Sequence, residues 1–291
     1  MIRVGAAAAR STRIRRVLLG LLIANLAVVG AKFVIGLSTG SLAVLGDAVH
    51  SSVDAMNNLL ALAVIGVAAQ APDEDHPYGH QKFETLGALA IVGFLSVSAF
   101  ELVRGAVHRL AAGAPTLDVA SAHLVILVAT LVVNTVVAAY ESRRGQQLNS
   151  EILLADAAHT KADVLITIGV LTGVMLARAG ITWADPVVAL LVAGVIVVLA
   201  YGIVTRSIPV LVDQHVLPSD TIQSYAEAVS GVRSAYDIRS RGSRDRTFAE
   251  LTIAVDRGAT VEDAHHIADL VEGRLRSQLH LHEIIVHVEP C

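Results

Sequence analysis

Asp47-Ala48-Val49-His50-Ser51-Ser52-Val53-Asp54 and Asp156-Ala157-Ala158-His159-Thr160-Lys161-Ala162-Asp163 are the two stretches whose reading decides the fold. Each is sunk in a long apolar run, Leu42 to Ala69 for the first and Ile152 to Leu176 for the second. In both, a His precedes an Asp by four residues, which on a helix puts the two side chains on one face, a turn apart. Charge at the centre of a membrane helix costs roughly 2.5–3.5 kcal/mol per residue, so a charged group kept there marks a functional site. A lone His or Asp would fit a hydrogen-bonded polar seam between helices. Two His-x-x-x-Asp faces turned toward each other supply two imidazoles and two carboxylates, a set that suits a tetrahedral divalent metal.

The surroundings of these stretches are those of a membrane protein. The chain is 54% hydrophobic and only 16% charged over 291 residues, with a mean hydropathy of +0.62, whereas soluble domains carry roughly 25% charge. A net charge of −4 names no nucleic-acid partner. The single cysteine, Cys291, excludes an internal disulfide framework and a Cys-based metal knuckle. Arg3, Arg10, Arg13, Arg15 and Arg16 precede an apolar run longer than the roughly 7–15 residues of a signal core, which reads as a retained first membrane helix. An organelle transit sequence is the alternative that this acid-poor, Arg- and Ala-rich start leaves open.

A spanning helix needs about 20 mainly apolar residues, and six segments qualify: 14–36, 42–69, 83–110, 119–142, 151–177 and 185–206. Residues 1–13 form a basic N-terminus before a 14–207 transmembrane domain. Lys82, Arg143, Arg144 and Arg206 fall on the side of the N-terminal arginines, which places both termini in the cytoplasm. From Ile208 the chain turns polar. Ser219 reads as a helix N-cap, Val232 to Arg241 and Thr247 to Val255 alternate as strands, Thr260 starts a second helix, and Glu283 to Glu289 is a last strand. Residues 208–291 are thus an αββαβ, α+β domain, and no long repeat is evident beyond the twin motifs.

Three constellations carry chemistry. The first is His50, Asp54, His159 and Asp163: four protein ligands close a tetrahedron and leave no place for a substrate water, which argues for carrying a metal and not for catalysis with it. Each His must be neutral to bind, so loading releases protons. Asp47 and Asp156 lie on a neighbouring part of each face, as helix-end holders or further donors. The second is the loop Asp73 to His80, where His76, His80 and a nearby carboxylate resemble a metal site at the membrane surface. Pro77 and Gly79 make it a shaped loop, not a helix. The third gathers His265, His266, His280, His282, His287 and Glu289 in the C-terminal domain, with His287 and Glu289 two apart on one strand face. Lys32 and Lys161 also lie within membrane helices, where each snorkels or meets a carboxylate.

Six helices, the paired His-x-x-x-Asp motifs, Asp-x-x-His-x-x-x-His after the second helix and a polar αββαβ domain together resemble the cation diffusion facilitators. The resemblance implies a homodimeric divalent-cation:proton antiporter that exports metal from the cytoplasm, set in the lipid of a bacterial plasma (inner) membrane. Carried over by position, His50, Asp54, His159 and Asp163 form the transport site, and Asp73, His76 and His80 the loop site. Lys82 and Asp213 match a pair that links membrane and cytoplasmic domains. In the metallochaperone-like C-terminal domain, His265, His287 and Glu289 match metal ligands, while Tyr236 and Thr252 stand where further His ligands are expected. No catalytic cofactor is implied. Two His with two Asp is the mixture most like the zinc-transporting members, with iron, manganese, cobalt and cadmium as alternatives. Two readings compete: a transport-dead metal sensor or partner subunit, and an intramembrane metalloenzyme, which would need an open metal position and finds no His-Glu-x-x-His here.

Overall fold

The computed structural model describes residues 2–39, 42–112, 121–181, 183–243 and 246–291; the side chains of 2–8, 39, 42–44, 46, 47, 50, 53, 112, 121–124, 126, 177 and 178 lie outside the description. The chain divides into two compact units, Met1–Ser207 and Ile208–Cys291. Among the described residues the first holds long helices α1 (Ile2–Thr39), α2 (Leu42–Ala68), α3 (Lys82–Ala112), α4 (Ser121–Gln147), α5 (Glu151–Arg178) and most of α6 (Ala184–Leu211). Ala9–Ser38, Lys82–Ala111, Glu151–Leu176 and Ala184–Leu211 are each long and apolar enough to cross a membrane, and α2 contributes the apolar stretch Asp54–Ala68. Side chains such as Leu19, Val34, Met175, Leu191 and Tyr201 are at least half exposed, as an outer face meant for lipid requires. Inside, Ile14, Leu18, Ile65, Ile91, Leu95, Ile152 and Ile196 pack into one buried cluster.

The first helix departs from expectation. It begins at Ile2, so the basic N-terminal segment is helical and continuous with the first long helix. The Ala-rich stretch Ala6–Ala9 favours helix, and Arg10 has partners inside the unit. Its guanidinium donates to Leu148 O at 2.8 Å and Asn149 O at 2.7 Å, and lies 3.1 Å from Glu84 Oε2. Ser150 Oγ donates to the other Glu84 oxygen at 2.6 Å. This clasp joins α1, α3 and the turn between α4 and α5, where Asn149 takes a positive φ of 45°. Arg10→Ala should therefore lower thermal stability in detergent by about 3 kcal/mol, because it strands a mostly buried Glu84 carboxylate. Ser150→Ala, which removes one neutral donor, should cost about 1 kcal/mol.

α1 packs along α2, and α4 along α5. In each pair a glycine near the end of the first helix meets the second closely: a Cβ on Gly36 would lie 2.7 Å from Leu45 Cδ2, and one on Gly145 2.9 Å from Leu154 Cδ2. The match continues, since Gly36, Ser41, Leu45, Asp47, His50 and Asp54 recur at identical spacing as Gly145, Ser150, Leu154, Asp156, His159 and Asp163. The twin motifs are thus the centres of a repeated helical hairpin, a longer repeat than the motifs alone suggest. With α2 and α3 crossing between them, α1 and α4 run through the membrane in opposite senses. On another flank, Arg109 Nη1 donates to Asp185 Oδ2, tying the last turn of α3 to the first of α6.

The second unit has the order α7 (Ser219–Glu227), β1 (Ser234–Ser243), β2 (Arg246–Val255), α8 (Val261–Leu279) and β3 (Glu283–Pro290). β2 is central, antiparallel to β1 and parallel to β3, with α8 as the crossover that a parallel pair requires. Ile222, Leu251, Ile253, Val271, Leu275 and Ile284 make its core. A capping box starts α8, Thr260 Oγ1 accepting from Asp263 N and the Asp263 side chain from Thr260 N. Ser219 is the first helical residue of α7 and not its N-cap; Pro218 holds the cap position, and the Ser219 hydroxyl points to Ile238 O. The β1–β2 register slips between Tyr236 and Arg239, with Asp237 at a φ of 49°.

Candidate metal centre

Asp54 on α2 and His159 and Asp163 on α5 present ligating atoms that all lie within 4.8 Å of one another. His159 Nε2 is 3.4 Å from Asp54 Oδ1 and 3.8 Å from Asp163 Oδ2. His159 and Asp163 are one helical turn apart, and α2 brings Asp54 across to them. His50 lies on α2 a turn before Asp54, at the repeat position of His159; its side chain, like that of Asp47, lies outside the described residues. Two carboxylates and an imidazole, mostly buried between apolar helices, make a set of donors that could hold a cation.

A set of polar side chains around the triad escaped the sequence reading. Asn57 Nδ2 stands 3.0 Å from His159 Nε2, and Asn58 Nδ2 donates to Asp156 Oδ2 at 3.3 Å. Asn25 Nδ2 on α1 donates to Asn58 Oδ1 at 3.2 Å. Asp156 therefore serves a neighbouring amide and stands apart from the triad. Lys32, buried on α1, does not snorkel: its Nζ donates to Ser51 Oγ at 2.8 Å. Glu141, buried on α4, accepts from Thr160 Oγ1 at 2.9 Å. These two contacts occupy equivalent places in the repeat, each reaching the hydroxyl that follows a motif His. Lys161 is exposed.

The loop between α2 and α3 makes a second cluster of Asp73, His76 and His80. His76 Nδ1 lies 3.3 Å from Asp73 Oδ1 and His80 Nε2 3.4 Å from Asp73 Oδ2, with the two rings 4.3 Å apart. The turn is built by Gly79 at a φ of 85°, whose N–H donates to His76 O. The His76 backbone N–H, donating to Asp73 Oδ1 at 2.7 Å, holds the Asp73 carboxyl below its usual range, and the two rings add to this. A depressed carboxylate keeps its charge at neutral pH, and its hold on the turn is lost only as pH falls through the lowered value. Lys82, just beyond, opens α3.

In the C-terminal unit the expected residues are spread out. His287 Nε2 is 3.6 Å from Glu289 Oε1, while His265 turns to Asp269 on its own helix at 3.7 Å. Among the described residues of one chain, these three do not gather as a metal group. Tyr236, Thr252 and His287 line up in one row across the sheet. Tyr236 OH donates to Glu289 Oε2, which raises the phenol above its ordinary pKa of 10.0 and keeps it a donor, not an anionic ligand. That bond is present below this raised value and is lost as pH climbs through it. His282 sets its ring edge-on to Phe248, and His280 ends α8 in the left-handed region. Asp213 Oδ2 lies 3.9 Å from Arg241 Nη1 within this unit.

Comparison with known proteins covers both units. The Cation efflux transmembrane domain matches residues 18–212, and the Cation efflux protein, cytoplasmic domain, matches 218–291. The cation-efflux pump FieF of Shewanella oneidensis is 30% identical over 91% of this chain and 90% of its own length. The manganese efflux system protein MneP of Bacillus subtilis is 29% identical over 95% of this chain and 96% of its own. An uncharacterized transporter of Methanocaldococcus jannaschii is 29% identical over 89% and 92%. A chain with a buried carboxylate and imidazole triad between membrane-crossing helices, matched in this way over most of its length, belongs to the cation diffusion facilitators, a family of metal-cation efflux transporters and not of enzymes.

Proposed function

We propose that this protein works as a homodimer that exports divalent metal from the cytoplasm in exchange for protons, with both termini cytoplasmic in a bacterial inner membrane. The observation that carries the reading is the buried triad of Asp54, His159 and Asp163, with His50 as the fourth ligand by its place in the repeat. Imidazole nitrogen and carboxylate oxygen together favour zinc. Manganese is the second reading, favoured by the names of two relatives, the manganese efflux system proteins MneP and MneS of Bacillus subtilis. Proton exchange follows from the donors, because an imidazole that takes up a proton gives up its metal. Asp73, His76 and His80 supply a further cation site at the membrane surface, and Lys82 with Asp213 serves the junction of membrane and C-terminal parts.

The test is zinc flux in sealed vesicles containing the purified chain, read together with vesicle pH. Zinc moving with no opposite movement of protons overturns the exchange. For the C-terminal unit, calorimetry on residues 208–291 should find at most one weakly held metal per chain, on His287, Glu289 and His265. Its self-association should survive a chelator. Two tight sites per chain, or dissociation on chelation, overturn that part.

A further inference from the structure

We propose that Asn57 is a specificity-determining residue, its carboxamide oxygen joining Asp54, His159 and Asp163 on the cargo and extending the site from zinc to harder, more highly coordinated cations such as manganese. This rests on the triad being the transport site. Asn57 is 2% exposed and lies on α2 three residues after Asp54, on the same face. A primary amide this deep among apolar helices needs a partner, and the partner it has is the ligating nitrogen of His159. Asn58 beside it is spoken for by Asp156 and Asn25, so the two adjacent amides have separate tasks.

The distances are those of donors around one ion. Two atoms each about 2.1 Å from a metal lie about 3.4 Å apart at a tetrahedral angle and about 3.0 Å apart at a right angle. From His159 Nε2 the separations are 3.4 Å to Asp54 Oδ1, 3.8 Å to Asp163 Oδ2 and 3.0 Å to the Asn57 carboxamide. The amide presents nitrogen there, and a half-turn presents oxygen with no change of shape. An amide nitrogen cannot ligate; an amide oxygen is a neutral hard donor of the kind that manganese, magnesium and calcium accept. Added to a set that already closes a tetrahedron, it raises the coordination number above what zinc prefers. Metal-free, the same amide satisfies the imidazole; loaded, it turns over and counts as a ligand.

The experiment uses the full chain in sealed vesicles, with zinc alone and manganese alone, in wild type, Asn57→Leu, Asn57→Asp and Asp163→Ala. Wild type should carry both ions. Asn57→Leu should raise the zinc-to-manganese ratio of initial rates about tenfold. Asn57→Asp, which keeps an oxygen in place, should return the ratio toward wild type. Asn57→Ala gives the same comparison should the Leu variant fail to insert. An unchanged ratio in the Leu and Ala variants, or a wild type that carries no manganese, overturns the role of Asn57. Wild-type rates for both ions in Asp163→Ala overturn instead the site on which the role rests.

Discussion

Asp54→Ala and Asp163→Ala should each reduce metal transport by roughly 100-fold or more while leaving a folded, inserted protein. Outer-shell partners of a metal site already change affinity by about 10- to 100-fold, and in the proposed site these carboxylates are direct ligands. Both flank His159 Nε2, at 3.4 and 3.8 Å. Removing either leaves one carboxylate fewer to neutralise a divalent charge inside a medium that cannot hydrate it. The fold should not suffer in proportion, because loss of a desolvated charge offsets the loss of its contacts. Thermal unfolding in detergent beside flux in vesicles separates the two effects. Near-normal flux in either variant would remove the triad from the transport path.

A pH difference across the membrane should drive zinc toward its acid side even with no zinc gradient at the start. With the membrane potential clamped at zero, one proton exchanged per ion multiplies the equilibrium zinc ratio by about ten for each pH unit, the equivalent of about 1.4 kcal/mol. Two protons would square that factor, so the slope of zinc ratio against pH difference reads the stoichiometry. The sense is fixed by the donors: protons on the receiving side occupy imidazole and carboxylate and release metal there, while the neutral side reloads. Collapse of the gradient with an ionophore should abolish accumulation. Zinc accumulation that ignores the ionophore excludes proton exchange.

Much of this was legible in the sequence, for definable reasons. A membrane helix announces itself by length and apolarity, and a His-x-x-x-Asp pair by lying on one face whatever the helix meets. The C-terminal strands showed in their alternation, and the start of α8 in Thr260. What stayed hidden depends on partners distant in the chain. Glu84 looks like an ordinary first-turn acid until Arg10 and Ser150 are placed beside it. Asn57 and Asn58 look alike, and only the packing of α2 on α5 assigns one to His159 and the other to Asp156. The slip beside Asp237 is likewise invisible, since alternation carries no trace of one inserted residue.

The repeated hairpin has a consequence for direction. Two halves that thread a membrane in opposite senses around one central site can exchange shapes, and each exchange opens the site to the other side. Were the halves identical, the two arrangements would be equal in free energy, and the protein would rest as often facing one way as the other. They differ where it matters most, for the place that Lys32 fills beside Ser51 in one half is filled by Glu141 beside Thr160 in the other. Matched hydroxyls of the two halves thus carry unlike partners, a basic group in one and an acidic group in the other. If the two halves exchange shapes during the proposed transport, this one lysine and one glutamate make the two arrangements unequal in free energy.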